Sequence, residues 1–241
     1  MTNPTIKPAS WSFSRLGDFE KCRKYYEIKH IKKIPEPERP LPPGKAEHAN
    51  DRGSRVHDNL ETYVRGEHDA LCPEADKHFG AHADFLRLLY ELGAVELEGE
   101  WGFDKDWEIT PWDTAWLRMK LDVLVHVGDD EAIVIDYKTG RKFGNEVKHS
   151  QQLQLYALAT FLRHPHLEVI SAELFYIDIG ETTRQTFTRD QALRFKRSFD
   201  KQGTALTDCT DFPPNPNKWS CQYCPWGPEH TGHCQVGVRK A

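Results

Sequence analysis

The stretch "VIDYKTG" at residues 134–140 puts an acid and a lysine at the end of an apolar run. The longer run "EAIVIDYKTG" (131–140) predicts a strand, and "AWLRMKLDVLVHV" (115–127) predicts another strand just before it. The turn-forming residues "GDDE" separate the two runs, so the strands are expected to form a hairpin. Burying a charge costs free energy unless the charge is paired, so Asp136 and Lys138 need a chemical reason to lie there.

The register of this hairpin predicts which side chains meet. A hairpin centred on Asp129 pairs residues whose numbers sum to 258, which sets Asp122 opposite Asp136. Because strand side chains alternate between faces, Asp122, Asp136 and Lys138 are expected to share one face. The other face is expected to carry Val123, Ile135 and Tyr137. A register slip of one residue would reverse these faces.

The two facing carboxylates predict a metal site. Opposed strand residues have Cβ atoms roughly 5 Å apart, so two carboxylates repel unless one is protonated or a cation lies between them. Mg²⁺ suits such a pair, together with waters and a main-chain carbonyl such as that of Tyr137. In such a site Lys138 would orient the nucleophile or stabilise charge that develops on a phosphate.

Helical and strand-like patterns alternate along the rest of the chain, which indicates an α/β fold. The first predicted helix follows Ser14 and puts Leu16, Phe19, Cys22 and Tyr26 on one side. Further helices are predicted at 53–65, 76–94, 145–164 and 189–202, and further strands at 95–103, 168–180 and 183–188. We predict one domain over 1–241, made of an N-terminal helix and Pro-rich loop (1–50), a core (51–206) and a Cys-rich tail (207–241).

Composition and charge limit the function classes. Of the 241 residues 38% are hydrophobic, which is enough for one well-filled domain. No apolar stretch is long enough to span a bilayer and the N-terminus lacks a signal-peptide pattern, so a cytoplasmic protein without membrane contact is expected. The formal net charge of -5 gives no overall attraction to nucleic acid. Any binding of DNA or RNA would depend on the basic runs at 22–33 and 138–142, which fit ordinary solvated faces equally well.

Two further pairs of residues share the spacing of four that places side chains on one helical face. Gly53 and His57 occur in "GSRVH", and Gln152 and Tyr156 occur in "QLQLY". With the acid on the preceding strand and the Asp-x-Lys at 136–138, these pairs resemble the motifs of the PD-(D/E)xK nuclease superfamily, in particular its RecB-like branch. The proline in the name of that family is absent, because Leu121 precedes the first acid.

The resemblance implies a restriction-endonuclease-like core, with a central mixed sheet flanked by helices. It also implies hydrolysis of DNA phosphodiesters with Mg²⁺ or Mn²⁺. The implied metal ligands are His57, Asp122 and Asp136, with the main-chain carbonyl of Tyr137. Lys138 would assist the attacking water, and Gln152 and Tyr156 would line the site. Glu100 is a possible additional acid that we leave outside the predicted ligand set.

The cysteines form a second pattern. In the cytoplasm they are expected to be reduced thiols or metal ligands rather than disulfides. One early cysteine and three near the C-terminus resemble the cluster ligands of AddB-type nucleases and of a CRISPR-associated exonuclease. The implied ligands of a [4Fe-4S] cluster joining the N- and C-terminal segments are Cys22, Cys221, Cys224 and Cys234. Zn²⁺ is the alternative, in which His230 or His233 would replace a thiolate.

The resemblance therefore implies a DNA exonuclease that acts on single strands or on ends. A structure-specific or sequence-specific endonuclease on the same core is an alternative. A non-catalytic DNA-binding subunit of a helicase–nuclease assembly is another, and the intact acids and lysine argue against it. The sequence carries no P-loop motif, so no motor is expected in this chain. Partner proteins of recombination or replication remain open, as does a phage or cellular setting.

Overall fold

A five-stranded sheet forms the centre of the computed structural model, which describes residues 8–140, 142 and 144–238. Its strands are β1 (Val95–Phe103), β2 (Leu117–Val127), β3 (Glu131–Lys138), β4 (Val169–Tyr176) and β5 (Glu181–Thr188). The spatial order follows the chain, β1-β2-β3-β4-β5. β3 and β4 are parallel and the other neighbours are antiparallel. The predicted mixed central sheet is confirmed, whereas the predicted metal cluster between the terminal segments and the domain division stay predictions.

Helices cover both faces of this sheet. They are α1 (Phe13–Lys21), α2 (Arg23–Tyr26), α3 (Ala49–Val64), α4 (Pro73–Glu91), α5 (Glu146–Arg163), α6 (Arg189–Thr207) and α7 (Lys218–Cys221), with a π-helical turn at Glu27–Ile31 and a 3₁₀ turn at Trp112–Thr114. α5 is the crossover that a parallel strand pair requires, here between β3 and β4. No helix within the described ranges is long and apolar enough to cross a membrane.

The sheet separates two hydrophobic cores. Residues of α1, α5 and α6 pack on one face, with the fully buried rings of Trp11, Trp101 and Phe161 among them. Residues of α3 and α4 pack on the other face, around Leu60 and Phe79. Burial on both faces explains why β3 and β4 are largely apolar runs rather than strictly alternating ones. The polar residues that do occur near the end of β3 are therefore exceptions within a buried sheet.

The β2–β3 hairpin has the predicted register. Val123 pairs with Ile135 and Leu124 pairs with Val134, so the paired numbers sum to 258. The pairing of the two strands ends there, one residue before the acids. Tyr137 belongs to the core on the α3 and α4 side, as the alternation predicts.

The expected strict alternation fails at one point of β1 and β2. Leu121 packs in the core beneath α5, although Val123, two residues later, packs in the core beneath α3. The change of face on β2 therefore occurs at Asp122. Glu98 lies across from it on β1, between the pairs Leu97–Val123 and Gly99–Leu121, and its backbone is left-handed with φ of 49°. The alternation predicted for β2 is therefore interrupted at Asp122, beside the left-handed Glu98, and the predicted common face of Asp122 and Asp136 stays a prediction.

Several predicted boundaries also differ. The first helix ends at Lys21 because Cys22 is extended, with φ of -166° and ψ of 116°, and helix resumes at Arg23. α3 begins four residues before Gly53, and α4 begins at Pro73, whose fixed φ favours the first helical position. β3 ends at Lys138 rather than at Gly140. α6 continues to Thr207, beyond the predicted end at 202.

Candidate active site

Asp136 is a buried carboxylate at the end of β3, with 6% of its surface exposed. Its Oδ1 accepts hydrogen bonds from the Tyr156 hydroxyl and from Gln152 Nε2, the latter at 3.2 Å. Burial raises the pKa of Asp136 above its usual range; the charge of Lys138 opposes this shift and the charge of Asp122 adds to it. A buried carboxylate with a raised pKa is stabilised in its charged form by any cation that reaches it.

α5 supplies both donors to this carboxylate. Gln152 and Tyr156 are one helical turn apart, and Gln152 Nε2 also donates to the Tyr156 hydroxyl at 2.7 Å. Tyr156 is buried and has a pKa well above its usual range, because of burial and then the nearby carboxylates. Its hydroxyl therefore stays protonated and works as a hydrogen-bond donor. The predicted sharing of one helical face by the two residues is the arrangement found.

Asp122 and His57 form the other half of the site. Asp122 Oδ2 accepts a hydrogen bond from the Tyr137 main-chain N–H at 2.7 Å and lies 3.3 Å from His57 Nδ1. Burial lowers the pKa of His57, but the hydrogen bond and charge of Asp122 outweigh it, so the pKa is raised overall. The His57 ring packs edge-on against the Tyr137 ring, with centroids 5.7 Å apart. The His57 imidazole on α3 therefore contacts the Asp122 carboxylate on β2.

Gly53 explains how α3 approaches so closely. A Cβ at this position would lie 3.3 Å from Thr139 Oγ1, which is tighter than an ordinary contact. The absence of a side chain lets the helix pass beside the end of β3, one turn before His57. The glycine and the histidine are therefore linked by a packing requirement as well as by spacing.

Lys138 lies against the second oxygen of Asp136. Its Nζ is 2.5 Å from Oδ2, as an ion pair without hydrogen-bond geometry. Within the described part of the chain, that buried oxygen has no hydrogen-bond partner. A buried carboxylate oxygen whose contact is the Lys138 ion pair, together with the Asp122 carboxylate and the His57 imidazole, provides donor types that a divalent cation binds. The residues present therefore fit a metal ion.

Glu98 is an acid that the sequence reasoning missed. It lies opposite Asp122, and its pKa is raised by burial and then by the charges of Asp122 and Glu61. Glu100, the additional acid considered from the sequence, instead pairs with Lys120 at 2.9 Å, and both side chains are about half exposed. A left-handed non-glycine residue costs free energy that surrounding structure must offset, and such residues concentrate at functional sites.

A family model of the PD-(D/E)XK nuclease superfamily matches residues 10–228. The chain belongs to this superfamily. The matched range includes all the site residues described above, and their roles stay predictions. No curated protein matches the chain.

Solved structures resemble the nuclease at low sequence identity. A protein from Eubacterium rectale named as a candidate exonuclease is 12% identical, covers 97% of this chain and 91% of its own, and gives a TM-score of 0.52. The protein SSO0001 is 13% identical over 97% and 90% of the two chains, with a TM-score of 0.44. An alkaline exonuclease from Laribacter hongkongensis is 14% identical over 82% and 86%, with a TM-score of 0.34. The first likeness supports the fold alone.

The four predicted cluster cysteines of the nuclease line one small cavity between the N-terminal segment and the tail. Burial raises the pKa of the Cys224 thiol, and Cys234, Cys22 and Cys221 add to the shift, in that order. Cys22 Sγ also accepts a hydrogen bond from the Asn215 N–H at 3.4 Å. His230 and His233 do not line this cavity. The structure thus brings the four thiols together, and what they bind stays a prediction.

The described lysines of the two basic runs that were candidates for nucleic-acid binding are mostly paired within the protein. Lys138 contacts Asp136, and Lys142 contacts Glu181 at 2.6 Å. In the earlier run, Lys24 and Lys29 contact Glu27 and Asp18. These contacts weaken the case for either run as a free basic patch.

Proposed function

We propose that the protein is a metal-dependent DNA exonuclease of the RecB-like branch that acts on single strands or on ends. The observation that carries the proposal is the buried Asp136, whose Oδ2 has no hydrogen-bond partner within the described residues and lies beside Lys138. Asp122 and His57 complete a set of two carboxylates and an imidazole at one sheet end. The exonuclease name of the E. rectale protein is in keeping with this choice.

Mg²⁺ or Mn²⁺ would be held by His57, Asp122, Asp136 and the main-chain carbonyl of Tyr137. Such an ion lowers the pKa of water and stabilises charge on a phosphate. The chain's own residues supply the remaining functions. Lys138 places a positive charge at the end of β3, where it can stabilise an anionic phosphate. Gln152 and Tyr156 hold Asp136 in one orientation through Oδ1, which leaves Oδ2 to Lys138 and to a metal ion.

A groove beside these residues fits a single strand. It is lined by Gln152 and Tyr156 together with Phe13, Arg15, Trp112 and Arg118. The Arg118 guanidinium lies 5.5 Å from the Trp112 ring centroid, so a cation and an aromatic face occur together. Single-strand grooves combine cations that track phosphates with aromatic rings on which bases stack. This groove replaces the two basic runs as the proposed path of the substrate.

The substrate can be tested with end-labelled linear DNA and covalently closed circular single strands, each incubated with Mg²⁺, Mn²⁺ or chelator. We expect linear DNA to be shortened to small products with either metal, circles to survive, and chelator to stop cleavage. Asp136→Asn should abolish cleavage. Rapid linearisation of circles would instead support an endonuclease, and full activity of Asp136→Asn or activity in excess chelator would contradict a metal nuclease.

The groove is tested separately by binding. Trp112→Ala should weaken single-strand binding about 5–150-fold, since one lost stacking contact is worth about 1–3 kcal/mol. Trp219→Ala is the matched control, because Trp219 is 79% exposed on α7 and does not line the groove. Equal loss in both variants would exclude this path.

We also propose that Cys22, Cys221, Cys224 and Cys234 hold a [4Fe-4S] cluster, which four thiolates suit. The four cysteines line one cavity, whereas His230 and His233 do not, so a ligand set of four thiolates is the set proposed. Reduced thiols of this kind fit a cytoplasmic setting.

A further inference from the structure

We propose that Glu96, His126 and His164 form a second metal site, distinct from the nuclease centre, that binds one transition-metal cation, with Zn²⁺ as the expected ion. One carboxylate oxygen and two imidazole nitrogens, one from each residue, all lie within 4.8 Å of one another. Glu96 Oε1 lies 2.8 Å from His126 Nε2 and 3.8 Å from His164 Nε2. Two imidazoles and a carboxylate are a ligand set that Zn²⁺ takes, with a fourth position left for water.

The fold builds this cluster from three separate elements. Glu96 on β1 pairs with Leu124 on β2, and His126 lies two residues further along β2. Residues in this diagonal relation lie on one face of the sheet and within reach of each other. His164 follows the last residue of α5, where its main-chain carbonyl accepts a hydrogen bond from Arg189 at 3.2 Å. Its backbone is therefore fixed by contacts that do not involve the cluster.

A second observation points to a ligand. His164 Nε2 is buried and, among the described residues, has no hydrogen-bond partner, although it points toward Glu96. Burying such a nitrogen without a partner costs free energy that a metal ion would offset. The His164 ring packs against Trp101, with centroids 5.7 Å apart, so its orientation is restricted.

The ion would have access from solvent, because the Glu96 side chain is 43% exposed and that of His126 is 27% exposed. His126 is four residues from Asp122 on β2, about 13 Å at the rise of a strand. The cluster is thus too far away to share an ion with the nuclease centre. A bound ion would fasten the end of α5 to the β1–β2 pair. The ion would therefore stabilise the position of α5, the helix that also carries Gln152 and Tyr156.

The test counts Zn²⁺ in the full chain by equilibrium dialysis, with saturating Mg²⁺ present to occupy the carboxylates of the nuclease centre. Four proteins are compared: wild type, His126→Gln, His164→Gln and His68→Gln. His68 is exposed and outside the cluster, and all four proteins keep the cysteines, so thiol binding cancels in the comparison. Wild type and His68→Gln should each bind one more Zn²⁺ than the other two, with at least about a 10–100-fold difference in affinity at that site.

Equal Zn²⁺ binding by all four folded proteins would overturn the proposal. Circular dichroism checks whether each variant folds. If a variant does not fold, nuclear magnetic resonance of the ring nitrogens decides the question on the unaltered chain. One equivalent of Zn²⁺ should then move the Nε2 signals of His126 and His164 and leave that of His68 in place. Unmoved signals of the two cluster histidines would equally reject the site.

Discussion

The Asp122 side chain accepts a hydrogen bond from the main-chain N–H of Tyr137, 2.7 Å away on the next strand. Pairing of β2 with β3 ends at Val123–Ile135, so this carboxylate accepts from a backbone N–H that lies beyond the last paired residues. One residue therefore has two roles, since the same oxygen faces His57. Its structural role and its proposed role as a metal ligand can be separated by substitution.

Asp122→Asn retains an oxygen that can accept from Tyr137, whereas Asp122→Ala does not. Both variants should lose metal-dependent cleavage. Only Asp122→Ala leaves a buried N–H unpaired, so it should be less stable than Asp122→Asn by about 1–3 kcal/mol. Urea unfolding in chelator measures the difference. Equal stability of the two variants would mean that the hydrogen bond contributes nothing.

Glu98 allows charge and backbone strain to be separated. Glu98→Gln removes the carboxylate and keeps the left-handed backbone, whereas Glu98→Gly also removes the strain, worth about 1 kcal/mol. We expect both variants to need more Mg²⁺ for half-maximal cleavage, and Glu98→Gly to have the higher Tm in chelator. Glu100→Gln, which removes only an exposed partner of Lys120, should leave the Mg²⁺ requirement unchanged. A changed requirement in that control would count against a specific role of Glu98.

Tyr156→Phe tests whether orientation of Asp136 matters. The variant removes one hydroxyl donor to a buried carboxylate, so kcat should fall about 10–100-fold, as expected for a loss of 1.5–3 kcal/mol. KM for DNA should change little, because the hydroxyl is already paired within the protein. Tyr63→Phe is the matched control, since its hydroxyl donates to Asp84 away from the site. A rise in KM with unchanged kcat would instead indicate that the hydroxyl contacts the substrate.

Asp18 gives a prediction about pH. Burial raises its pKa, but hydrogen bonds from His30 and Lys29 outweigh this effect, so the pKa is lowered from 3.8. Stability from a carboxyl with a lowered pKa is present above the unfolded value and is lost as pH falls through the folded value. Wild type should therefore lose about 1 kcal/mol more than Asp18→Asn when acidified below about pH 4. Urea midpoints across this range measure the effect, and parallel pH profiles would contradict it.

The cysteine centre is tested by colour and stability. Anaerobically purified wild type should be brown, and Cys22→Ser should lose the colour and become protease-sensitive in the tail, since ligand binding couples to folding. Cys209→Ser is the control, because its thiol donates to the Asp211 carbonyl and lies outside the cavity. About one zinc and no iron in wild type would reject the cluster in favour of a zinc centre.

The sequence predicted the parts of the site that lie on locally connected elements. Asp122 and Asp136 come directly after the last paired residues of a hairpin with a short turn, so the hairpin register could be calculated from residue numbers. Gln152 and Tyr156 lie on one helix, where spacing alone indicates a shared face. Both results depend on rules that act over fewer than about twenty residues.

The features that the sequence did not predict depend on contacts whose partners cannot be calculated from residue numbers. Glu98 meets Asp122 across β1 and β2, whose connection contains a 3₁₀ turn and an irregular loop, so no register could be calculated. The break at Cys22 was hidden because Phe19 and Tyr26 still pack together, with ring centroids 5.5 Å apart. Periodicity records which residues are buried, and this break leaves that pattern unchanged.

The buried Trp226 has a consequence for synthesis. Its indole N–H donates to the Pro35 carbonyl, 191 residues earlier in the chain, and its ring packs against Tyr25. Ribosomes add about 5–20 residues per second, so about 10–40 s pass between the synthesis of Pro35 and the synthesis of Trp226. During that interval Tyr25 and its apolar neighbours lack the cover that Trp226 later gives them. A nascent chain halted before residue 226 should therefore be the form that chaperones hold longest.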